Sequence, residues 1–82
     1  MTKDIQEIFA YVMADKDGEG IIASYVEGNQ AFCKPLMFSS LEEALKAKED
    51  AIDMGNEYKS IVHLIRFDNR MLIERLIPAG FQ

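Results

Sequence analysis

Residues 60–77, which read SIVHLIRFDNRMLIERLI, carry the main β-hairpin signal of this 82-residue chain. Isoleucine, leucine, valine and phenylalanine dominate this stretch, as in β-strands. Asp68 and Asn69 interrupt it with residue types that favour a tight turn. The sequence therefore predicts a hairpin of two strands, residues 60–67 and 70–77.

Apolar side chains line both faces of this predicted hairpin, whereas a sheet with one wet face alternates between apolar and polar residues. One face carries Ile61, Ile65, Phe67, Leu72 and Leu76. The other carries Val62, Leu64, Met71, Ile73 and Ile77. The segment 7–14 repeats the pattern, with Ile8 and Val12 on one side and Phe9, Tyr11 and Met13 on the other.

One helix is predicted, over residues 40–54. Ser40 and Glu43 have the spacing of a capping box, and Gly55-Asn56 favours a left-handed C-terminal cap. Further strands are predicted at residues 7–14, 21–26 and 31–38, with turns at 15–20 and 27–30. The fold class is therefore α+β: a small antiparallel sheet of four or five strands, in the order β-β-(β)-α-β-β, with one helix packed on one face. Residues 1–82 are predicted to form a single domain.

A single helix of this length covers one face of a small sheet and leaves the other face exposed. We expect a second copy of the chain to cover that face, because symmetric self-association is the commonest arrangement of soluble oligomers. The predicted interface consists of Val62, Leu64, Met71, Ile73, Phe9 and Met13. A different protein, a ligand between copies, or a helical fold of the first segment over the same face remain open alternatives.

Composition excludes several function classes. Fourteen acidic residues outnumber nine basic ones, which disfavours direct binding to nucleic acid. Cys33 is a lone cysteine, so no internal disulfide requires an oxidising compartment. No apolar run resembles a signal peptide or approaches the ~18 residues of a membrane span. We expect a cytoplasmic protein, in the host cytoplasm if a phage encodes it.

Candidate ligand-binding residues are concentrated in the predicted hairpin. Guanidinium groups grip phosphate or carboxylate in a bidentate manner, and aromatic rings stack on flat ligands. The candidates are Arg66, Arg70, Arg75, Tyr11, Tyr25 and His63. Surface ion pairs and core packing are the alternative roles for these side chains.

Two further sites are open alternatives. His63 lies opposite Glu74 in the predicted hairpin register, which suggests an acid–base pair, although no nucleophile accompanies it. Residues 15–22 imitate the start of an EF-hand calcium loop, but Val26 stands where a bidentate Glu is required. An acidic β-turn is the favoured interpretation there, and no cofactor, metal site or catalytic residue is predicted.

The chain also shows a resemblance, which rests on Gly18-Glu19-Gly20-Ile21, Pro35-Leu36-Met37-Phe38, Gly55 and Leu64-Ile65-Arg66-Phe67 leading to Glu74. Over residues 18–78 it looks like small uncharacterised α+β proteins encoded by bacteriophages and prophages. This resemblance implies an accessory protein that acts on the host cell. Some such proteins form oligomers that sequester nucleotide immune signals, and others block a host protein. The resemblance supplies no functional residues.

Together these observations predict a non-catalytic, homo-oligomeric binding protein, a phage accessory or anti-defence factor. It would sequester a small anionic, nucleotide-like ligand or block a host protein. The alternatives are a small enzyme that uses His63 and Glu74, and a degenerate EF-hand-like calcium-binding module.

Overall fold

The computed structural model describes residues 4–26 and 29–80, which form antiparallel sheets and two consecutive helices. The strands are β1 (Ile8–Asp15), β2 (Gly18–Ile21), β3 (Ala23–Val26), β4 (Asn29–Pro35), β5 (Met37–Phe38) and β6 (Val62–Phe67). The helices are α1 (Leu41–Lys46) and α2 (Lys48–Tyr58). The α+β class and the strand assignment of the first segment are confirmed. The predicted turn at residues 27–30 falls partly on residues 27 and 28, which lie outside the described part.

The central strand is β1, and its two edges are used differently. One edge pairs with the whole of β6, from Ile8 opposite Phe67 to Met13 opposite Val62. The other edge pairs with β2 in its second half and with β5 in its first half.

Three strands meet at a junction halfway along β1. The Tyr11 backbone N–H donates to the Leu36 carbonyl over 3.1 Å, and the Tyr11 carbonyl accepts from the Ile22 N–H over 3.0 Å. The Leu36 N–H donates to the Ile22 carbonyl over 2.9 Å, which closes the junction. Beyond it, β3 and β4 leave β1 and pair with each other as a separate two-stranded arm. The predicted strand 31–38 divides after Pro35, which still pairs with Ala23, at Leu36, where the chain changes its partner from β3 to β1.

The helical region begins as predicted and ends later. Ser40 is the N-cap, and its hydroxyl accepts a hydrogen bond from the Glu43 N–H. Ala47 interrupts the helix, so that α1 packs on β5 and β1 whereas α2 packs on β3 and β6. The predicted end near Gly55 is wrong, because the left-handed residue is Lys59, with φ of 53°.

Gly55 has a different role from the predicted cap. Its carbonyl accepts from the Ser60 N–H over 3.0 Å, and the Lys59 N–H donates to the Asn56 carbonyl, which together form a Schellman motif. A Cβ at position 55 would lie 3.0 Å from the Ser60 carbonyl oxygen and from Val62 Cγ2. The glycine therefore allows α2 to approach the start of β6 closely.

The core lies between the helices and one face of the sheet. Its buried members are Phe9, Tyr11, Ile22, Leu36, Ala44 and Ala51. Partly buried side chains packed against them are Met13, Phe38, Ala47, Met54, Val62 and Leu64. The expectation that Phe9, Met13, Val62 and Leu64 lie on the uncovered face is therefore wrong. The helices cover this face of the sheet, since the small residues Ala44, Ala51 and Gly55 let them approach it.

The opposite side of the sheet is called the outer face here, and the register of β1 with its neighbours defines it. Its apolar members are Ile8, Ala10, Val12, Ile21, Met37, Ile65 and Phe67. Ala10 and Val12 are buried, and their cross-strand neighbours on this face are Met37 and Ile65, and Ile21 and His63. Ile21, Met37 and Phe67 remain exposed. Both helices lie on the other face, so the described part of the chain provides no second layer here.

The predicted last strand, residues 70–77, is absent as a strand. The chain continues past Phe67 without turning back, and Arg70 Nη1 lies 3.1 Å from Asp4 Oδ2, beside the residues that precede β1. Residues 71–77 are called the C-terminal segment below; its Met, Leu and Ile side chains are 63–80% exposed. The radius of gyration is 15.6 Å, against about 12 Å for a compact chain of this length. The predicted hairpin is therefore wrong, because its second half pairs with no strand among residues 4–26 and 29–80.

Candidate functional site

A groove of about 560 Å³ opens between the β1–β2 hairpin, the β3–β4 arm and the end of α2. Its wall contains the rings of Tyr25 and Tyr58, and both tyrosines are exposed. The carboxylate residues Asp15, Asp17 and Glu19 lie along its rim. Aromatic faces and carboxylates both attract cations, so this groove favours a positively charged group over an anionic one.

The acidic part of the groove is a hairpin turn. Asp15 pairs with Gly18 across a two-residue loop, and the Asp17 N–H donates to Asp15 Oδ1 over 2.7 Å. Residues 18–21 continue as a strand, whereas an EF-hand loop leads into a helix. Within residues 4–26 and 29–80, no group of three or more His, Cys, Asp or Glu side chains is placed to hold a metal ion. The β-turn interpretation is confirmed, and the calcium alternative has no geometric support.

The three candidate arginines are exposed and lie along the last part of the chain. Arg66 Nη2 lies 3.5 Å from Asp68 Oδ2, and Arg70 pairs with Asp4. Exposed pairs of this kind contribute about 0–1 kcal/mol, so a better anionic partner displaces them readily. Arg75 lies in the C-terminal segment. Because the predicted hairpin is absent, the chain does not assemble these guanidinium groups through that hairpin.

The predicted juxtaposition of His63 and Glu74 is wrong. His63 lies opposite Val12 in the pairing of β6 with β1, on the outer face, and its side chain is exposed. Glu74 belongs to the C-terminal segment and is exposed as well. The hypothesis of an acid–base pair required the second half of the hairpin to bring Glu74 opposite His63. Because that strand does not form, the structure does not support the pair.

Tyr11 is a core residue and cannot stack on a ligand from the position it occupies. Its hydroxyl donates a buried hydrogen bond of 2.6 Å to the Ala44 carbonyl at the end of α1. Burial raises the pKa of this phenol above its ordinary value of 10.0, because the ionised form would lose its hydration. Tyr25 differs, because it is exposed and lines the groove.

Replacing Tyr11 by Phe should lower the free energy of unfolding by about 1 kcal/mol at neutral pH, because the buried hydrogen bond to the Ala44 carbonyl is lost and the Ala47 N–H remains as its donor. A phenol whose pKa is raised in the folded state stabilises the fold at pH values below its unfolded pKa. This stabilisation is lost as the pH rises through the folded pKa. The difference between Tyr11→Phe and the parent should therefore narrow above about pH 10. Urea denaturation at pH 7 and at alkaline pH measures both effects. The exposed Tyr58→Phe is the control, and an equal loss in both variants would contradict the role of the Tyr11 hydroxyl.

Two features of the site were not predicted from the sequence. Tyr58 follows the predicted helix end, and only the extension of α2 brings it to the groove beside Tyr25. The second feature is the outer face, because the sequence predicts the helix over the face that carries Ile65 and Phe67. No feature of Ile8, Ala10 and Val12 in the sequence distinguishes their face from the face that carries Phe9 and Tyr11.

Among the described residues, no helix has the length and apolarity needed to cross a membrane. Comparisons with protein-family models, with curated proteins and with solved structures found no match to this chain.

Proposed function

We propose that this protein is a non-catalytic, homo-oligomeric binding protein that holds a small anionic ligand at the boundary between its copies. The observation that carries the proposal is the exposure of the C-terminal segment, whose Met71, Leu72, Ile73, Leu76 and Ile77 are all exposed. The outer face adds Ile21, Met37 and Phe67 to the same uncovered apolar surface. Surfaces of this kind in small proteins mark interaction sites.

The magnitude of this surface favours association. Full burial of an exposed Leu, Ile, Met or Phe side chain contributes about 2 kcal/mol. These eight residues are 40–80% exposed, so they offer on the order of 10 kcal/mol per copy. The loss of translational and rotational freedom costs about 4–15 kcal/mol for the whole complex. Burial from both copies therefore exceeds the cost of joining them.

Anionic ligand binding is supported by where the arginines lie. Arg66 is next to Phe67 at the end of β6, Arg70 begins the extension beyond the sheet, and Arg75 lies between Ile73 and Leu76. Association through the apolar residues brings Arg75 of one copy against another copy. The resemblance to phage-encoded proteins supports a nucleotide-like anion and a role as an accessory or anti-defence factor.

Native mass spectrometry of the untagged protein purified from expressing cells tests this proposal. We expect an oligomer whose mass exceeds that of its denatured subunits by a bound small molecule. Arg66→Ala and Arg75→Ala should lose this extra mass and keep the subunit number. Lys46→Ala is the matched control, because Lys46 is likewise exposed and paired with a carboxylate, Glu43, at 3.5 Å. An oligomer without extra mass contradicts ligand binding, and a monomer contradicts the whole proposal.

The groove favours a second candidate, in which the oligomer blocks a host protein. Tyr25, Tyr58 and the carboxylates of Asp15, Asp17 and Glu19 suit a lysine or arginine side chain of a partner protein. Capture experiments with Tyr25→Ala and Tyr58→Ala discriminate between the two candidates. Loss of a protein partner in these variants supports blocking, whereas loss of a bound small molecule only in the arginine variants supports sequestration.

A further inference from the structure

We infer that the C-terminal segment of one copy adds as a strand to the open edge of β6 in a second copy. This inference rests on the proposed oligomer and specifies how its subunits are joined. The second copy is favoured as the occupant because the same chain carries both an unpaired strand edge and an unpaired apolar segment of matching length.

The open edge of β6 follows from the hydrogen bonds of Tyr11. Both backbone groups of Tyr11 bond towards Leu36 and Ile22, which lie on the side of β1 away from β6. Tyr11 and its partner Leu64 are therefore a non-hydrogen-bonded pair, and the Leu64 N–H and carbonyl point away from β1. By the alternation of an antiparallel strand, Val62 and Arg66 present their backbone groups to the same edge. Among the residues described, no strand pairs with that edge.

The segment has the composition and length of the missing strand. It contains five large apolar residues of seven, without glycine or proline. At about 3.3 Å per residue it spans about 23 Å, and the six residues of β6 span about 20 Å. Its apolar residues fall on both faces, with Met71, Ile73 and Ile77 on one and Leu72 and Leu76 on the other. A strand of this pattern extends the outer face and the helix face together.

The segment is directed away from its own β6 edge. Arg70 is tied to Asp4, which precedes β1, and β1 lies on the paired side of β6 rather than on the open side. Pairing with the open edge of the same β6 requires a reversal at Asp68 and Asn69, where the chain runs on without one. A second copy related by a two-fold axis needs no reversal, and the exchange is then reciprocal and closed.

Proline substitution tests the inference, because proline removes the backbone N–H that an added strand must donate. We compare Leu72→Pro with Leu72→Ala, and Ile73→Pro with Ile73→Ala, by sedimentation equilibrium of the full chain. Neighbouring residues point their N–H groups to opposite sides of a strand. One proline should therefore weaken association about tenfold or more relative to its alanine counterpart, and the other should change it little.

Hydrogen exchange gives an independent readout for the same variants. The outward N–H of Leu64 should exchange slowly in the parent protein and rapidly in the proline variant that weakens association. Oligomers that tolerate both prolines, or lose stability equally with both, would overturn one-edge strand addition while leaving the oligomer in place. A parent protein that is monomeric throughout would instead overturn the proposed function.

Discussion

Phe67→Asp on the outer face should weaken self-association by about 100-fold or more. Phe67 ends β6, and its side chain is 49% exposed in the single chain, beside Ile8 of the central strand. In an interface formed by this face, an aspartate would lose its hydration without gaining a partner. The subunit itself should lose about 1 kcal/mol or less, because the side chain is only half-buried before association. Sedimentation equilibrium measures the association, and urea denaturation measures the stability of the subunit.

Leu45→Asp is the matched control for this variant. Leu45 lies on α1, which packs on β5 and β1, is 46% exposed, and receives the same charge on the helical side of the molecule. We expect Leu45→Asp to associate as the parent does. If Leu45→Asp dissociates the oligomer and Phe67→Asp leaves it intact, the interface lies on the helices and our assignment of the outer face is incorrect.

Leu36→Ala should lower the free energy of unfolding by about 3 kcal/mol, which is a large share of the stability of a small domain. Leu36 has 0% exposure and is the largest fully buried side chain of the described part. Its backbone also joins β1 and β3 at the junction, so a cavity here lies where the sheet divides. Thermal and urea denaturation of the variant measure the loss.

Leu41→Ala is the control for the core substitution. Leu41 begins α1, is 46% exposed and lies outside the outer face, so its truncation should cost the subunit less than about 1 kcal/mol. Similar losses for Leu36→Ala and Leu41→Ala would show that the core does not lie between the helices and the face that carries Tyr11.

The parts of the fold that local chemistry determines were predictable from the sequence. The capping box at Ser40 places the start of α1, and the acidic turn before Gly18 places the first hairpin. The end of α2 was not predictable, because Lys59 adopts a left-handed conformation that residue type alone disfavours. Gly55, which suggested a cap, is instead required where the helix approaches Val62.

The choice of covered face could not be made from the alternation of residues. Val62 and Leu64 are as apolar as Ile65 and Phe67, so the two faces of β6 are equivalent in composition. The helices pack on the face that carries Phe9 and Tyr11. This packing depends on the three-dimensional path of the chain and not on the composition of β6. The expectation of one covered and one uncovered apolar face is correct, although its two sides were exchanged.

The candidate ligand site depended on a hairpin that does not form. The composition of residues 70–77 favours a β-strand when a neighbouring strand is available. It does not specify which strand that neighbour is. The positions predicted for Arg75 and Glu74 relative to Arg66 and His63 therefore do not hold within one chain. Of the predicted ligand residues, Tyr25 lines the groove beside Tyr58, and Arg70 lines a smaller groove of about 260 Å³ with Ile8, Phe67 and Met71.

The chain leaves the large apolar side chains of its C-terminal segment and of part of its outer face exposed, and we propose that further copies of the same chain cover them. Sedimentation equilibrium of the untagged protein across a range of micromolar concentrations tests it most directly. We predict a mass that is a whole multiple, two or greater, of the 9.3 kDa subunit. A mass of 9.3 kDa at every concentration would contradict the account.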